Sequence, residues 1–458
     1  MTDQLYAVSP LDGRYASRTA PLSPYVSEAA LMRARLKVEV EYVIKLAELS
    51  EIPVEISNDE QAALRETYET FSEEDAKVIK QLETDGYGEY PATNHDVKAI
   101  EYYLQLQSNE EIHPWIHFGL TSEDVNNLAY RLLIKDAVQE VLLPELSTRR
   151  EQLTELATKY SDTSMLARTH GQPATPTTFG KEMAVYADRL EKVITEVANT
   201  AEGLAGKLGG ASGTYAAHDV AYEEIDWPVV AEEFVTELGL EFRGLTTQVN
   251  PCDDLAELFD GLRRANTVLI DLDRDMWLYI SDKYLGQEAA KSEAGSSTMP
   301  HKVNPIDFEN SEGNLSKANS DLTFLADYIT TSRLQRDLSD STVKRNIGTA
   351  FAHCLIGYSK AGDGLSKVVP NEVIMSKDLK ENPAVIGEAV QTILRREGHD
   401  DAYEQVKELT RGEDVTIEDF HELFAELDLP DGIVEELQAL TPASYTGVAD
   451  TLAESVED

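Results

Sequence analysis

The feature that most restricts the fold is a repeat of apolar residues at helical spacing, sustained over long stretches. Between 178 and 204, Phe179, Met183, Tyr186, Leu190, Val193 and Val197 follow one another at intervals of four and three. That alternation keeps one stripe of a helix apolar and makes the seam of a bundle. Between 253 and 285 the pattern returns with Leu255, Leu258, Leu262, Leu269, Leu272, Met276 and Ile280. A run of about 30 residues makes roughly 45 Å of helix. Ser27 suits the N-cap of another helix, with Leu31, Val38, Tyr42 and Leu49 on one side. Helical runs are also predicted over 121–160, 307–329 and 341–365. Strand-like alternation is scarce, and no βαβ rhythm or glycine-rich phosphate loop is present. The expected fold is all-α. Helices this long call for a parallel-packed bundle completed by other subunits. Three helical domains are expected: an N-terminal one over 1–112, a central long-helix bundle over 113–366, and a C-terminal one over 367–458.

Charge narrows the choice of partners. The chain of 458 residues carries 84 acidic side chains against 40 basic ones, a formal net charge of −44. No broad basic face is available for nucleic acid. The acids are spread over helix faces instead of forming a tail, as in "EEDAKVIKQLETDGYGEY". Such a hydrated acidic surface suits a salt-filled cytoplasm, so a halophilic source is expected. No stretch of about 18 apolar residues suggests a membrane span. The start "MTDQLYAVSPLDGRY" has neither the basic nor the apolar region of a secretory signal. Cys252 and Cys354 lie far apart, form no metal or redox pattern, and fit a reducing cytoplasm.

Polar loops punctuate the helices. "ARTHGQPATP" sets His170 before Gly171 among prolines that fix the backbone. It reads either as a surface turn before a helix starting near Thr178 or as a rigid mount for proton transfer. "TSED" at 121–124 reads as a capping box, and the same free N–H groups and hydroxyls also suit an anion. "TNHDVKAIEY" puts Asn94, His95 and Asp96 just before a helix, as a cap or as site residues. "SRLQRDLSDSTVKRN" clusters Arg333, Arg336, Lys344 and Arg345 with Ser341 and Thr342. In so acidic a chain this suggests a clamp for phosphate or carboxylate, with ordinary surface ion pairs as the alternative for Lys344. His113 and His117 stand four apart but lack a third ligand. Burial against Trp115 is expected there, and no metal site.

The stretch "GSSTMPHKVNP", from Gly295 to Pro305, is similar to the signature loop of the fumarase/aspartase superfamily. With "SPLDGRY", "TNHDVKAIEY", "HFGLTSEDVNN", "RTHGQPATPTTFGKEM", "TTQVNP", "MPHKVNPIDFEN" and "RLQRDLSDSTVKRN" in order, the chain resembles the adenylosuccinate lyase family of that superfamily. The resemblance implies an all-α fold in which four subunits join long helices into a central bundle, each active site taking loops from three of them. It implies a carbon–nitrogen lyase that splits adenylosuccinate into AMP and fumarate. The same chemistry would split the succinylaminoimidazole carboxamide ribotide SAICAR into AICAR and fumarate. No cofactor or metal is implied. By resemblance Ser296 is the general base, His170 the general acid and Glu309 the residue that orients His170. His95 supports binding or orientation. Lys302 and Asn304 face the succinyl carboxylates, Ser297 and Met299 shape the same pocket with Val303 also at the substrate, and the loop is read as a flexible catalytic lid. The family pattern places Arg14, Tyr15, Asn94, Asp96, Thr121, Ser122, Gln248 and Asn310 around the ligand. It places Arg336, Ser341, Thr342, Val343, Lys344 and Arg345 there too. Argininosuccinate lyase, fumarase and a non-catalytic helical scaffold are the alternatives. The loop at 167–176 and the cluster at 333–345 favour a nucleotide substrate.

Overall fold

The computed structural model describes residues 4–288, 303–410 and 415–456. Long helices dominate it, where the apolar seams place them: Phe179–Glu202, Asp253–Ser281, Ile306–Ile329 and Ile347–Leu365. Phe179, Met183, Leu190 and Val197 are fully buried, as are Leu255, Leu258, Leu262, Leu269, Leu272 and Met276. The helix predicted over 121–160 is two α-helices, Ser122–Ala137 and Leu143–Lys159, joined by a π turn at Val138–Leu142. The run predicted over 341–365 breaks after the short helix Ser339–Lys344 and resumes at Ile347. The run predicted to 285 ends at Ser281, because Leu285–Gln287 pairs as a strand with Val368–Pro370.

The chain forms two compact units. The first comprises Met1–Leu146, Val193–Thr267 and Gly313–Gly357. Its Glu28–Ala47 helix starts at Ser27, whose hydroxyl accepts from the Ala30 N–H at 3.1 Å, and packs against Ser122–Ala137. Leu31, Val38 and Tyr42 are buried on it, and Leu49 lies beyond its end. Ala30, Ala34 and Ala129 are small enough to bring the two helices close around Leu31 and Leu133. Arg131 forks onto both oxygens of Asp254 at 2.8 Å, and both side chains are buried. A buried pair with two good hydrogen bonds keeps its charges solvated by each other.

The second unit comprises Ser147–Lys192, Val268–Glu312 and Tyr358–Asp458. Here Arg149 donates to the Tyr358 carbonyl at 2.8 Å, and a Cβ at Gly362 would lie 2.1 Å from its guanidinium. A side chain at that position would have to push the guanidinium off the Tyr358 carbonyl. Ile386, Val390, Leu394, Ala402, Val406, Phe420, Phe424 and Leu437 form a separate apolar cluster in the C-terminal helices. No helix among the described residues is long and apolar enough to cross a membrane.

Candidate active site

In the first unit, most of the expected site residues sit at helix starts and on the Ser339–Lys344 helix. The capping box expected at 121–124 is present: Asp124 returns to the Thr121 N–H at 2.9 Å. Asp124 does more than cap. It meets Lys207 at 2.8 Å with both side chains fully buried, and it accepts from the N–H groups of Gly209 and Gly210 at 2.9 and 3.1 Å. The loop "LGGASGTY" therefore hangs from the start of this helix. Its Ala211 carbonyl accepts from Gln248 at 2.9 Å. That contact fixes the Gln248 amide with its oxygen left for another donor.

Glu123, between the two hydroxyls and Asp124, is 2% exposed and takes Arg336 at 3.0 Å and Lys344 at 3.3 Å. Lys344 also reaches Asp340 at 2.7 Å. Its partners are thus buried or largely buried carboxylates and not the surface acids of the alternative given for Lys344. Leu334, two residues before Arg336, has a left-handed backbone with φ of 53°, and the neighbouring Gln335 carbonyl accepts from Thr247 at 3.0 Å. Asn94 is left-handed as well, with φ of 51°. His95 caps the Asp96–Leu106 helix, its Nδ1 accepting from the Lys98 N–H at 3.2 Å while the ring stays half exposed. Asp96 takes Arg35 at 2.8 Å and Arg345 at 3.3 Å. Burial pushes its carboxyl up, but the Arg35 charge and hydrogen bond outweigh that and hold it below the ordinary carboxylate range.

Arg14 is exposed near the Tyr15 ring, and Ser341, Thr342 and Val343 lie on the Ser339–Lys344 helix. His117 is largely buried, with 16% of its side chain exposed. It meets the buried Glu39 at 2.6 Å, while Trp115 packs on Phe118. His113 approaches the Ser108 carbonyl at 3.4 Å. Among the described residues, no three His, Cys, Asp or Glu side chains gather in a way that could hold a metal.

In the second unit the loop around His170 is a β-hairpin. Arg168–Thr169 pairs antiparallel with Gln172–Pro173, and Ser164–Met165 pairs with Thr177–Thr178 below it. The two-residue turn is His170–Gly171, with φ of 54° and 73°. Positive φ at both central positions is what a tight hairpin turn of the primed type demands, and His tolerates it better than most side chains. His170 is exposed at the tip. Glu309, near the start of the Ile306–Ile329 helix, accepts from the Trp277 indole N–H at 3.2 Å. No hydrogen bond joins it to His170 among the described residues. Val303 is exposed, and Asn304 and Asn310 are half-buried. Ser296, Ser297, Met299 and Lys302 lie outside the described residues.

Residues 13–319 match a family described as lyase, and residues 332–446 match the adenylosuccinate lyase C-terminal family. An adenylosuccinate lyase of Dictyostelium discoideum is 47% identical over 461 residues, covering 97% of each chain. One of Escherichia coli strain K12 is 45% identical over 461 residues, covering 99% of each. The chain belongs to the adenylosuccinate lyase family. Two solved structures share the fold. A fumarate lyase from Mesorhizobium sp. BNC1 aligns with a TM-score of 0.74 at 20% identity, covering 95% of this chain and 97% of that one. A 3-carboxy-cis,cis-muconate lactonizing enzyme from Pseudomonas putida also aligns at 0.74, with 21% identity, covering 95% and 96%. The all-α fold expected from the helical seams, and the fumarase/aspartase type implied by the resemblance, are what is found.

Three residues that hold the expected site segments by ion pairs escape the sequence reading. Arg35 passes for a surface charge on a helix. Its place among Leu31, Leu36 and Val38 is the available signal, since an arginine within an apolar face needs a buried partner. Glu123 is hidden behind the capping box, which uses only its neighbours. Lys207 gives no signal, because its partner Asp124 is 83 residues away.

Proposed function

We propose that this protein cleaves adenylosuccinate to AMP and fumarate by β-elimination, and by the same chemistry SAICAR to AICAR and fumarate. The observation that carries this reading is its 45–47% identity, over nearly the whole length, to adenylosuccinate lyases. The reaction sets three demands. A base removes a proton from the carbon beside a succinyl carboxylate. The electron pair left behind is stabilised as an aci-carboxylate. It then forms the fumarate double bond as the C–N bond breaks, and an acid protonates the departing nitrogen.

In our assignment Ser296 is the base and His170 the acid, with Glu309 orienting the imidazole. Lys302 and Asn304 stand where negative charge grows, and Ser297, Met299 and Val303 shape that pocket. Arg14, Tyr15, Asn94, His95, Asp96, Thr121, Ser122, Gln248 and Asn310 hold the substrate together with Arg336 and residues 341–345. The ion pairs of the first unit support this. Glu123 and Asp96 hold three of the cations in place before any ligand arrives, so little side-chain freedom is left to lose on binding.

The functional assembly we propose is a homotetramer in the cytoplasm, with sites shared between subunits. Val185, Trp277, Leu278 and Phe324 are 40–53% exposed on long helices of the single chain, as surfaces awaiting further copies would be. Light scattering that gives a monomer at working salt overturns the assembly. The net charge of −44 opposes a polyanionic substrate, so salt is expected to raise activity by screening the distant acids. Full activity and stability in dilute buffer would remove the halophilic reading. The central test mixes the protein with adenylosuccinate and measures fumarate and AMP. Release of both is expected, and turnover of argininosuccinate or malate in place of adenylosuccinate overturns the assignment.

A further inference from the structure

The His170 hairpin is exposed along both strands, yet a proton donor must be held still. The hairpin itself supplies little rigidity, because each of its strands is two residues long. Its support comes from two carboxylates of the C-terminal helices. Arg168, at the foot of the first strand, donates through Nη2 to Asp378 Oδ2 at 2.8 Å. Thr175, beyond the second strand, donates to Glu388 at 2.7 Å, and the same Glu388 oxygen takes the Tyr445 hydroxyl at 3.2 Å.

Asp378 is the better built of the two. It lies on the Glu372–Glu381 helix, which packs on the Ser164–Met165 strand at the base of the hairpin. Asn382 donates to its Oδ1 at 3.3 Å and to its backbone carbonyl at 2.8 Å, which leaves Oδ2 for others. That one oxygen accepts both Arg168 and the Tyr284 hydroxyl. Tyr284 is itself pinned, since its carbonyl accepts from the Asn371 N–H at 2.7 Å beside the paired strands Leu285–Gln287 and Val368–Pro370. Asp282 adds a looser contact with Arg168 at 3.7 Å.

We propose that Asp378 is a positioning residue for the proton donor. It ties the Arg168 foot of the hairpin to Tyr284 and the C-terminal helices, and so fixes where His170 points. The proposal rests on the assignment of His170 as general acid. A charge-assisted bond is shorter and stronger than a neutral one, so losing it frees the foot of the hairpin without removing the imidazole.

The test compares steady-state cleavage of adenylosuccinate by the full-length protein and its variants. Asp378→Asn keeps the size and removes the charge. It is expected to lower kcat about tenfold to a hundredfold, with KM within about twofold, as misplacement of a reacting group does. Asp378→Glu restores the carboxylate and is expected to recover part of kcat. The double variant Asp378→Asn with Arg168→Gln is expected to lose no more than the worse single variant, because both cut the same bond. Multiplying losses, or a KM rise with kcat intact, overturns the proposal. Arg168→Gln reads the same bond from the hairpin side if Asp378→Asn does not fold. His170→Ala separates the two ideas. If it keeps full turnover, the general-acid assignment fails. If it is inactive while Asp378→Asn turns over normally, the positioning role alone fails.

Discussion

Glu123 and His170 are held in contrasting ways. Glu123 is 2% exposed and has Arg336 and Lys344 bonded to it. His170 stands exposed at the tip of a four-residue ribbon, with its support at the feet. The contrast separates two tasks. Groups that hold charge benefit from being paired and buried before the ligand comes, since little remains to be ordered. In the proposed assignment His170 hands over a proton, and such a group must keep an open ring and reach the substrate, so its constraint is placed on the backbone instead. Mutations in the first set are expected to disturb folding and affinity together. Mutations at the second are expected to disturb turnover with folding left intact.

The largest effect belongs to the exposed side. His170→Ala is expected to lower kcat about 10²- to 10⁴-fold, the usual worth of a positioned acid. Its thermal midpoint is expected to fall by no more than about 2–4 °C, the effect of about 1 kcal/mol, since alanine tolerates the left-handed turn less well than histidine. A larger loss would break the distinction, because the imidazole itself would then be structural. On the buried side, Glu123→Gln leaves Arg336 without its counter-charge and Lys344 with Asp340 alone, and is expected to cost about 3 kcal/mol of stability. Chemical denaturation measures that cost. A loss below about 1 kcal/mol, the range of a surface pair, would place Glu123 among ordinary surface acids.

Another buried acid sharpens the rule by lacking a counter-charge. Asp273 is 1% exposed, and among the described residues it is offered the Ser311 hydroxyl but no cation. Burial pushes its carboxyl well above the ordinary range. The folded state then keeps a proton that the unfolded state releases once the pH passes about 4. Stability falls as pH rises through that interval, until the folded carboxyl also ionises. Asp273→Asn is expected to flatten this slope and add about 1–2 kcal/mol near neutral pH. Denaturant midpoints taken across pH measure it, and a slope unchanged by the substitution removes the explanation. The smallest effect is expected at an exposed pair. Lys192 meets Asp188 one turn away at 2.6 Å with both side chains mostly in water. Lys192→Met should change stability by less than about 0.5 kcal/mol.

What the sequence makes legible follows from range. Helical seams are local, so Phe179, Met183 and Leu190, or Leu258 and Leu262, announce their helices within a few turns. The capping box at Thr121 and Asp124 is equally local. The π turn at Val138–Leu142 leaves the apolar pattern nearly unbroken and so escapes notice. The His170 hairpin escapes for the opposite reason. Two-residue strands are too short to alternate, and Pro173 and Pro176 suggest a rigid loop. Ion pairs such as Glu123 with Lys344, or Asp96 with Arg35, join residues 221 and 61 positions apart. No pattern within one element can reveal them. The candidate site was therefore readable as a set of segments, through their resemblance to a family, while the wiring inside each unit was not.

The left-handed backbone at His170 and Leu334 carries a consequence for engineering. L-residues in that region cost about 1 kcal/mol or more each, so glycine at Leu334 would make the chain easier to fold. It would also let the peptide beside Gln335 swing, and with it the direction in which Arg336 leaves the backbone. A heat-resistant variant selected by that route would gain ruggedness by surrendering aim. It would be a poor parent for anyone seeking a faster catalyst.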